Sequence, residues 1–328
     1  MSAKTNQIMN RGVQDTTRGP SPSLWGDFPI DTIFQGAGGS GGNTPGFFFF
    51  DEFEVCGLPA LNAASQFGKW ACWADTGSTF TDSMQEGGVL KLVAAAAGNQ
   101  VCLGSTTGSF RLVSGATGYP YQGKLWFEAR IALGALTTGI SDFFIGLADN
   151  TASQMCSASG LIVAAAGNTL VTAKNLLGFH KRATTNFNDV GVAYNVAGGV
   201  VQYPTNLQTL ITTVTGNPMA PYTAVANAPS TGFVKLGMLF DPTPANPSVI
   251  AAASVNGQVS GQLYKPVLQF FVNGQLVQTF LASINLQAAT FPIGYLAPCI
   301  VFGAQSATPA GYVDWIRVGQ LGTVSPNF

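Results

Sequence analysis

Charged side chains are scarce in this chain of 328 residues. Lysine, arginine, aspartate and glutamate make up 9% of the sequence and leave a formal net charge of −1, whereas about 25% of the residues of an average soluble protein are charged. Binding to nucleic acid phosphates requires clustered lysine and arginine. The composition therefore argues against nucleic acid as a partner.

Long apolar runs are also missing. No stretch approaches the roughly 18 consecutive apolar residues of a membrane-spanning helix, and the first residues, "MSAKTNQIMNRGVQDTTRG", lack the apolar region of a signal peptide. We expect no membrane partner. We also expect the chain to stay in the compartment where it is made, or to leave it by lysis of the host cell.

Metal-ligating residues are few and widely spaced. The five cysteines form no C-x-x-C pair, and His180 is the single histidine. A zinc site needs closely spaced thiol or imidazole ligands. We expect buried, reduced thiols and no metal or other cofactor.

Aromatic residues, in contrast, are plentiful. The 23 phenylalanines, 8 tyrosines and 5 tryptophans exclude a disordered chain. A surface rich in small uncharged residues suits a protein that contacts other proteins, because charged residues are depleted at the centre of interfaces. This composition favours a role in an assembly.

The first 46 residues have the composition of an extended arm, in which prolines precede the Gly-Ser run "GAGGSGG". That run lacks the lysine and the preceding strand of a phosphate-binding loop. The arm is too apolar to be a free tail, so we expect it to be ordered where it lies on a neighbour, either its own body or another subunit. The candidate contact residues are Trp25, Phe28, Ile30, Ile33 and Phe34.

Residues 47–328 have the pattern of a β-sandwich body. Short strand-like runs recur between Gly, Asn, Asp and Pro, which is typical of a sandwich or jelly roll. Asn273-Gly274 between two apolar runs predicts a two-residue type I′ hairpin. Residues around 151–230 are rich in loop formers, and we interpret them as long insertions between strands.

One predicted strand, "KLWFEARIAL", alternates strictly. Its apolar residues fall on one face, and Trp126, Glu128 and Arg130 fall on the other. We expect Glu128 and Arg130 to face solvent or a neighbouring strand, and Trp126 to lie under a loop.

The ordered series "GKLWFEARIALGAL", "SDFFIGLADN", "LLGFHKR", "GFVKLGMLFDP", "LQFFVNGQLVQTF" and "GYVDWIRVGQL" resembles the concanavalin A-like, lectin/glucanase-type sandwich domains of tailed-bacteriophage virion proteins. The resemblance covers about residues 47–320. It implies an all-β fold, an antiparallel two-sheet jelly roll, within a phage particle. Such domains often belong to head decoration or cement proteins that sit on the major capsid protein.

Two other activities are known in the same fold, and each has candidate residues here. A retaining glycosidase needs two carboxyl groups about 5–5.5 Å apart, and only Glu52 and Glu54 have a suitable spacing, without the rest of the glucanase signature. A lectin needs converging loop oxygens, often around calcium; the candidates are Asp149, Asn150, Asp189 and Tyr194. His180 beside Lys181 and Arg182 is interpreted as a polar strand end or as a contact with an acidic neighbour.

The sequence thus favours a non-enzymatic structural virion protein. We expect a decoration or cement protein that is made in the host cytoplasm and binds the outside of a phage head, with the major capsid protein and copies of itself as partners. A trimer is one oligomeric state consistent with this role, and no sequence feature fixes the number of subunits. The alternative function is a carbohydrate-binding module on a tail fibre or on the head surface.

Overall fold

A computed structural model gives the structure of the chain. It describes residues 18–28, 46–53, 65–82, 88–106, 110–112, 123–133, 141–149, 162–163, 169–181, 190–206, 232–242, 267–281, 291–304 and 310–321. Within these ranges no helix has the length and apolar character needed to cross a membrane.

Antiparallel pairing builds two large sheets in the described part of the chain. With strands numbered in chain order, the first sheet has the order β16-β15-β14-β7-β18-β5-β4, and β1 also pairs with β18. Its strands are β1 (Gly46–Asp51), β4 (Thr79–Asp82), β5 (Leu90–Val93), β7 (Leu125–Leu133), β14 (Val234–Asp241), β15 (Val267–Val272), β16 (Gln275–Leu281) and β18 (Ala310–Leu321).

The second sheet has the order β13-β12-β11-β8-β17-β6-β3-β2. Its strands are β2 (Ser65–Phe67), β3 (Trp70–Ala74), β6 (Gln100–Ser105), β8 (Ser141–Asp149), β11 (Leu176–Lys181), β12 (Val190–Asn195), β13 (Gln202–Asn206) and β17 (Leu296–Ala304). A separate two-stranded ribbon pairs β9 (Ile162–Val163) with β10 (Thr169–Leu170). One short helix, α1 (Pro22–Trp25), precedes the described strands.

The apolar core lies between the two sheets. Alternate residues of each strand point inward, because successive side chains of a strand point to opposite faces. The ring of Phe179 from the second sheet lies 6.3 Å from Phe127 and 6.0 Å from Phe270 of the first sheet. These contacts confirm the predicted all-β, two-sheet antiparallel sandwich.

The predicted hairpin is confirmed. β15 and β16 pair antiparallel around Asn273 and Gly274, whose φ angles are +47° and +73°. Both central residues of a type I′ turn need positive φ, which Asn and Gly adopt most readily.

The region around 151–230, interpreted from sequence as long insertions, contributes strands as well. β11, β12 and β13 form one end of the second sheet. Pro204 lies within β13, and β13 is the edge strand of that end. A proline is tolerated at an edge, because its missing N–H leaves no bond of the sheet interior unmade.

Three of the cysteines are buried, as predicted: Cys72, Cys102 and Cys299. Cys56 and Cys156 lie outside the described residues.

Candidate protein-binding face

The outer face of the first sheet carries the candidate site. On this face β7 presents Trp126, Glu128 and Arg130, and the neighbouring strands β14 and β18 present Lys235 and Trp315 beside them. All five side chains are buried. Of the two expected surroundings of Glu128 and Arg130, solvent is wrong, whereas a neighbouring strand holds for Arg130, which pairs with Asp314 of β18. The arm segment 18–28 lies across this face and covers Glu128. We call this surface the docking face.

Arg18 anchors the start of the arm segment. Its guanidinium donates from Nε to Asp314 Oδ1 at 2.9 Å and from Nη2 to the same oxygen at 2.6 Å. The Asp314 side chain is fully buried and also pairs with Arg130. Trp315 Nε1 donates to the Arg18 carbonyl at 2.6 Å. Paired, charge-assisted hydrogen bonds of this kind fix both position and orientation.

Backbone recognition continues along the segment. Lys235 Nζ donates to the Gly19 carbonyl at 3.0 Å, and the Ser21 N–H donates to Glu128 Oε2 at 3.0 Å. Ser23 Oγ donates to the Gly274 carbonyl. The docking face therefore binds main-chain atoms of the arm as well as its side chains.

The helix α1 turns the arm so that its apolar side chains meet the sheet. Pro22 suits the first turn of a helix because its fixed φ is already helical, and the Leu24 and Trp25 N–H groups both donate to the Ser21 carbonyl at 3.0 Å. Leu24 becomes almost fully buried. Trp25 Nε1 donates to Glu128 Oε2 at 2.9 Å, so this tryptophan reaches the same carboxylate as the Ser21 amide.

Two glycines of the docking face make room for arm side chains. A Cβ on Gly237 of β14 would lie 2.6 Å from Leu24 Cδ2, and a Cβ on Gly319 of β18 would overlap the ring of Phe28. A larger residue at either position would force the arm side chain above it to shift. The docking face is therefore complementary in shape to the arm segment.

An aromatic cluster closes the end of the segment. The Phe28 ring stands edge-on to Trp126 at 5.0 Å and to Trp25 at 5.3 Å, a favoured geometry for aromatic pairs. Phe48 of β1 lies 5.7 Å from Phe28. Between the two arm aromatics, Asp27 accepts a hydrogen bond from Trp126 Nε1 at 3.0 Å.

Burial of the docking face also changes its electrostatics. Burial raises the pKa of Glu128, and the hydrogen bonds from Ser21 and Trp25 together with the charge of Lys235 oppose that rise. Burial lowers the pKa of Arg317 on β18, against the attraction of Glu52, Glu128 and Asp314. These charges lie largely out of water and depend on their partners, because an unpaired buried charge is costly.

Two of the five predicted contact residues therefore meet on the body of their own chain. Trp25 is half-buried and Phe28 is buried. Ile30, Ile33 and Phe34 lie outside the described residues, as does the Gly-Ser run. Sequence reasoning missed Arg18, Asp314 and Lys235 as partners. The available signal was the outward set Trp126, Glu128 and Arg130, because a charged and aromatic face on one strand is typical of a surface that binds another segment.

The glucanase candidates lack a described carboxyl pair. Glu52 is partly exposed and lies 3.5 Å from Arg317 in an ion pair. Glu54 lies outside the described residues.

The lectin candidates that are described have structural roles. Asp149 Oδ2 accepts a hydrogen bond from the backbone N–H of Asn175 at 2.7 Å, and Asp149 Oδ1 accepts one from Asn175 Nδ2 at 2.9 Å. Tyr194 packs against the core beside Phe291. Asn150 and Asp189 are outside the described ranges. Within those ranges no group of three or more His, Cys, Asp or Glu could hold a metal ion.

His180 belongs to β11 on the outer face of the second sheet. It is buried, its ring lies 5.7 Å from that of Tyr203, and the neighbouring Lys181 is buried as well. Arg182 is outside the described residues. His180 and Lys181 are the last two residues of β11, in agreement with the interpretation as a polar strand end.

No protein-family model matches the chain, and no curated protein matches it. Solved structures do resemble it. Peanut lectin bound to a nine-residue peptide is 12% identical with a TM-score of 0.42, over 85% of this chain and 99% of the lectin. A β-1,3-glucanase from Mycobacterium marinum is 14% identical with a TM-score of 0.39, over 82% and 97%.

A protein of unknown function from Shewanella oneidensis MR-1 is 9% identical with a TM-score of 0.38, over 86% of this chain and 90% of that protein. Lectins and a glucanase are thus among the similar structures.

Proposed function

We propose that this chain is a structural virion protein without enzymatic activity, a decoration or cement protein on the outside of a phage head. In this role it reinforces contacts between major capsid subunits. It is made in the bacterial host cytoplasm and joins the particle through protein–protein contacts.

The docked arm is the observation that carries this proposal. The outer face of the first sheet binds a protein segment through the ion pair of Arg18 with the buried Asp314, main-chain hydrogen bonds and two glycine sockets, Gly237 and Gly319. In the proposed role, such a surface supports assembly when the segment joins neighbouring subunits.

The composition gives independent support. With 9% charged residues the surface is depleted in the groups that interface centres avoid. A well-packed interface of about 1,600 Å² would suffice for stable binding to a shell.

Carbohydrate binding is the alternative, and the described residues favour it less. Asp149, the carboxylate at the end of β8 proposed for a sugar or calcium site, is already hydrogen-bonded to Asn175 through both oxygens. This pairing links the end of β8 to the segment before β11, which is a structural role.

The first test is quantitative mass spectrometry of purified particles, giving the copies of this chain relative to the major shell protein. A ratio near that of the shell subunit supports decoration. A small ratio moves the chain to the tail or a fibre, where a glycan array would test the lectin alternative. Absence from the particle contradicts the virion role and makes polysaccharide cleavage the activity to assay.

A second test asks whether the arm contributes to binding. Particles stripped of this protein are offered wild-type chain, a Leu24→Ala variant and, as the matched control, Leu276→Ala. Leu24 of the arm is buried against the docking face, whereas Leu276 is 37% exposed on β16. We expect weaker rebinding of Leu24→Ala alone. Equal rebinding of all three proteins would contradict a role for the docked arm in the assembly.

A further inference from the structure

The arm segment and the docking face form a complete recognition pair. The polar contacts of residues 18–28 with the body include Arg18 with Asp314, Ser21 with Glu128, and Lys124 with Asp27. None of these contacts requires that arm and body belong to the same chain. The same face can therefore receive the same segment from another copy.

The connection between arm and body is longer than docking within one chain requires. The rings of Phe28 and Phe48 are 5.7 Å apart, so Phe28 and Gly46 lie within about 20 Å of each other, given ~3.8 Å between consecutive Cα atoms. The seventeen residues 29–45 that join them can span about 60 Å when extended. This excess length would let the arm reach a neighbouring subunit.

The length of the segment 29–45 also determines whether docking within one chain or docking between chains prevails. A seventeen-residue tether of random-coil dimensions has a root-mean-square span of roughly 20–25 Å, and such a tether gives a local arm concentration on the order of millimolar. Docking within the chain therefore dominates in dilute solution. Docking between chains competes once copies are packed at a similar local concentration.

We infer that the docking face accepts residues 18–28 of a second copy of this chain, and that closely packed copies exchange these arms. Exchange would give Trp25 and Phe28 the subunit contact that the sequence predicts for them, without any new surface. The inference depends on the proposed function in one respect: the particle would supply the close packing. Exchange of an identical element is a low-cost route to linked subunits.

The pair Lys124 and Asp27 allows a test on the unaltered full-length chain. The two side chains form an ion pair across the arm–body contact, and the Asp27 side chain is 57% exposed. A carbodiimide joins such a pair as an amide, and the water lost converts the reagent to a urea. Equal amounts of ¹⁴N- and ¹⁵N-labelled chains are mixed, incubated from micromolar to millimolar concentration and cross-linked. Mass spectrometry then reads the isotopes of the 27–124 linked peptide.

An internal reference comes from a second ion pair. Lys69 and Asp51 lie 3.5 Å apart, and both belong to the body. Their linked peptide should carry a single isotope label at every concentration. Asp27→Asn is the matched control variant, because it abolishes the 27–124 link and leaves the 51–69 link.

We expect 27–124 peptides of mixed label to be rare at micromolar concentration and to increase with concentration towards one half. One half is the limit for random pairing of two equal populations. Mixed label at 27–124 with single label at 51–69 supports arm exchange. Single label at both positions, at millimolar concentration and on assembled particles, would overturn it, and so would the absence of any 27–124 link.

The outcome is separable from that of the proposed function. Mixed label in a chain that is absent from purified particles would uphold exchange and reject the virion role. Abundant copies on the particle with single label throughout would do the reverse.

Discussion

The two outer faces of the sandwich differ far more than its two inner faces do. The outer face of the first sheet combines buried charges, tryptophans and glycine sockets under the arm. The outer face of the second sheet carries a separate apolar cluster that includes Ala71, Cys102, Phe144, Ala193 and Cys299, with the buried side chains of Asp142 and His180 beside it. The inner faces of both sheets contribute to one large apolar core.

This difference shows where a sandwich can specialise. Successive side chains of a strand face opposite ways, so the outer residues of β7 can change without altering the core residues between them. The inner set holds the two sheets together, and the outer set is free to select a partner. On the first sheet that partner is the arm.

The largest effect is expected where a buried charge loses its partner. Asp314→Asn should lower the free energy of unfolding by about 3–5 kcal/mol, because Arg130 would stay buried without the carboxylate it pairs with. Urea denaturation measures this change. The matched control is Glu52→Gln, which removes a partly exposed carboxylate from an ion pair with Arg317 and should cost less than about 1 kcal/mol. Equal losses in the two variants would contradict the contrast between buried and exposed pairs.

A smaller, local effect is expected from the apolar anchor of the arm. Leu24→Ala should weaken docking by about 2–4 kcal/mol, because it removes buried methyl groups above Gly237. Hydrogen exchange at the Ser21 amide, which donates to Glu128, should then accelerate at least about 30-fold. Leu276→Ala should leave this rate unchanged. An unchanged rate in Leu24→Ala would mean that Leu24 is not an anchor of the arm.

A still smaller effect is expected from the titration of Glu128, which should make docking of the arm depend on pH. In the docked chain burial raises the pKa of Glu128 above its ordinary value of 4.5. We expect release of the arm to return this carboxylate to water, so that the docked state binds a proton more readily than the released state. Docking is then strongest below pH 4.5 and weakens as the pH rises through the raised value, by at most about 1.4 kcal/mol per pH unit. Hydrogen exchange at Ser21, with the intrinsic pH dependence divided out, measures this slope.

Glu128→Gln isolates the carboxylate responsible for that slope. The amide oxygen can still accept from Ser21 and Trp25, while Lys235 on β14 and Arg317 on β18, which face the same position, are unchanged. The variant should therefore keep the arm docked and lose the slope. A slope that persists in Glu128→Gln would assign the pH dependence to another group.

The fold was predictable because its signals are local. Strict alternation from Leu125 to Ile131 and the pair Asn273-Gly274 each determine a short piece of backbone, and both predictions hold in the structure. The docking face was not predictable in the same way. Arg18 and Asp314 are 296 positions apart, and no local pattern of either residue indicates the other.

Glu128 shows most clearly what the sequence pattern cannot predict. Alternation correctly places it opposite the core residues of β7, but the pattern cannot tell an exposed outer face from one covered by a distant segment. The same limit applies to Trp25 and Phe28, whose apolar character predicts a contact without saying which surface supplies it.

The smallest expected effect is none at all, on the second sheet. Cys102 and Cys299 are fully buried on its outer face, and the two outer faces are separated by a core about 10 Å thick. Sites this far apart without shared partners behave independently, and a docked segment can open without global unfolding. Alkylation of these two thiols, followed by mass spectrometry, should therefore proceed at the same rate in Leu24→Ala and in the wild-type chain. Faster alkylation in the variant would show that arm release loosens the whole sandwich, and the arm would then be part of the core structure instead of an independent ligand of one face.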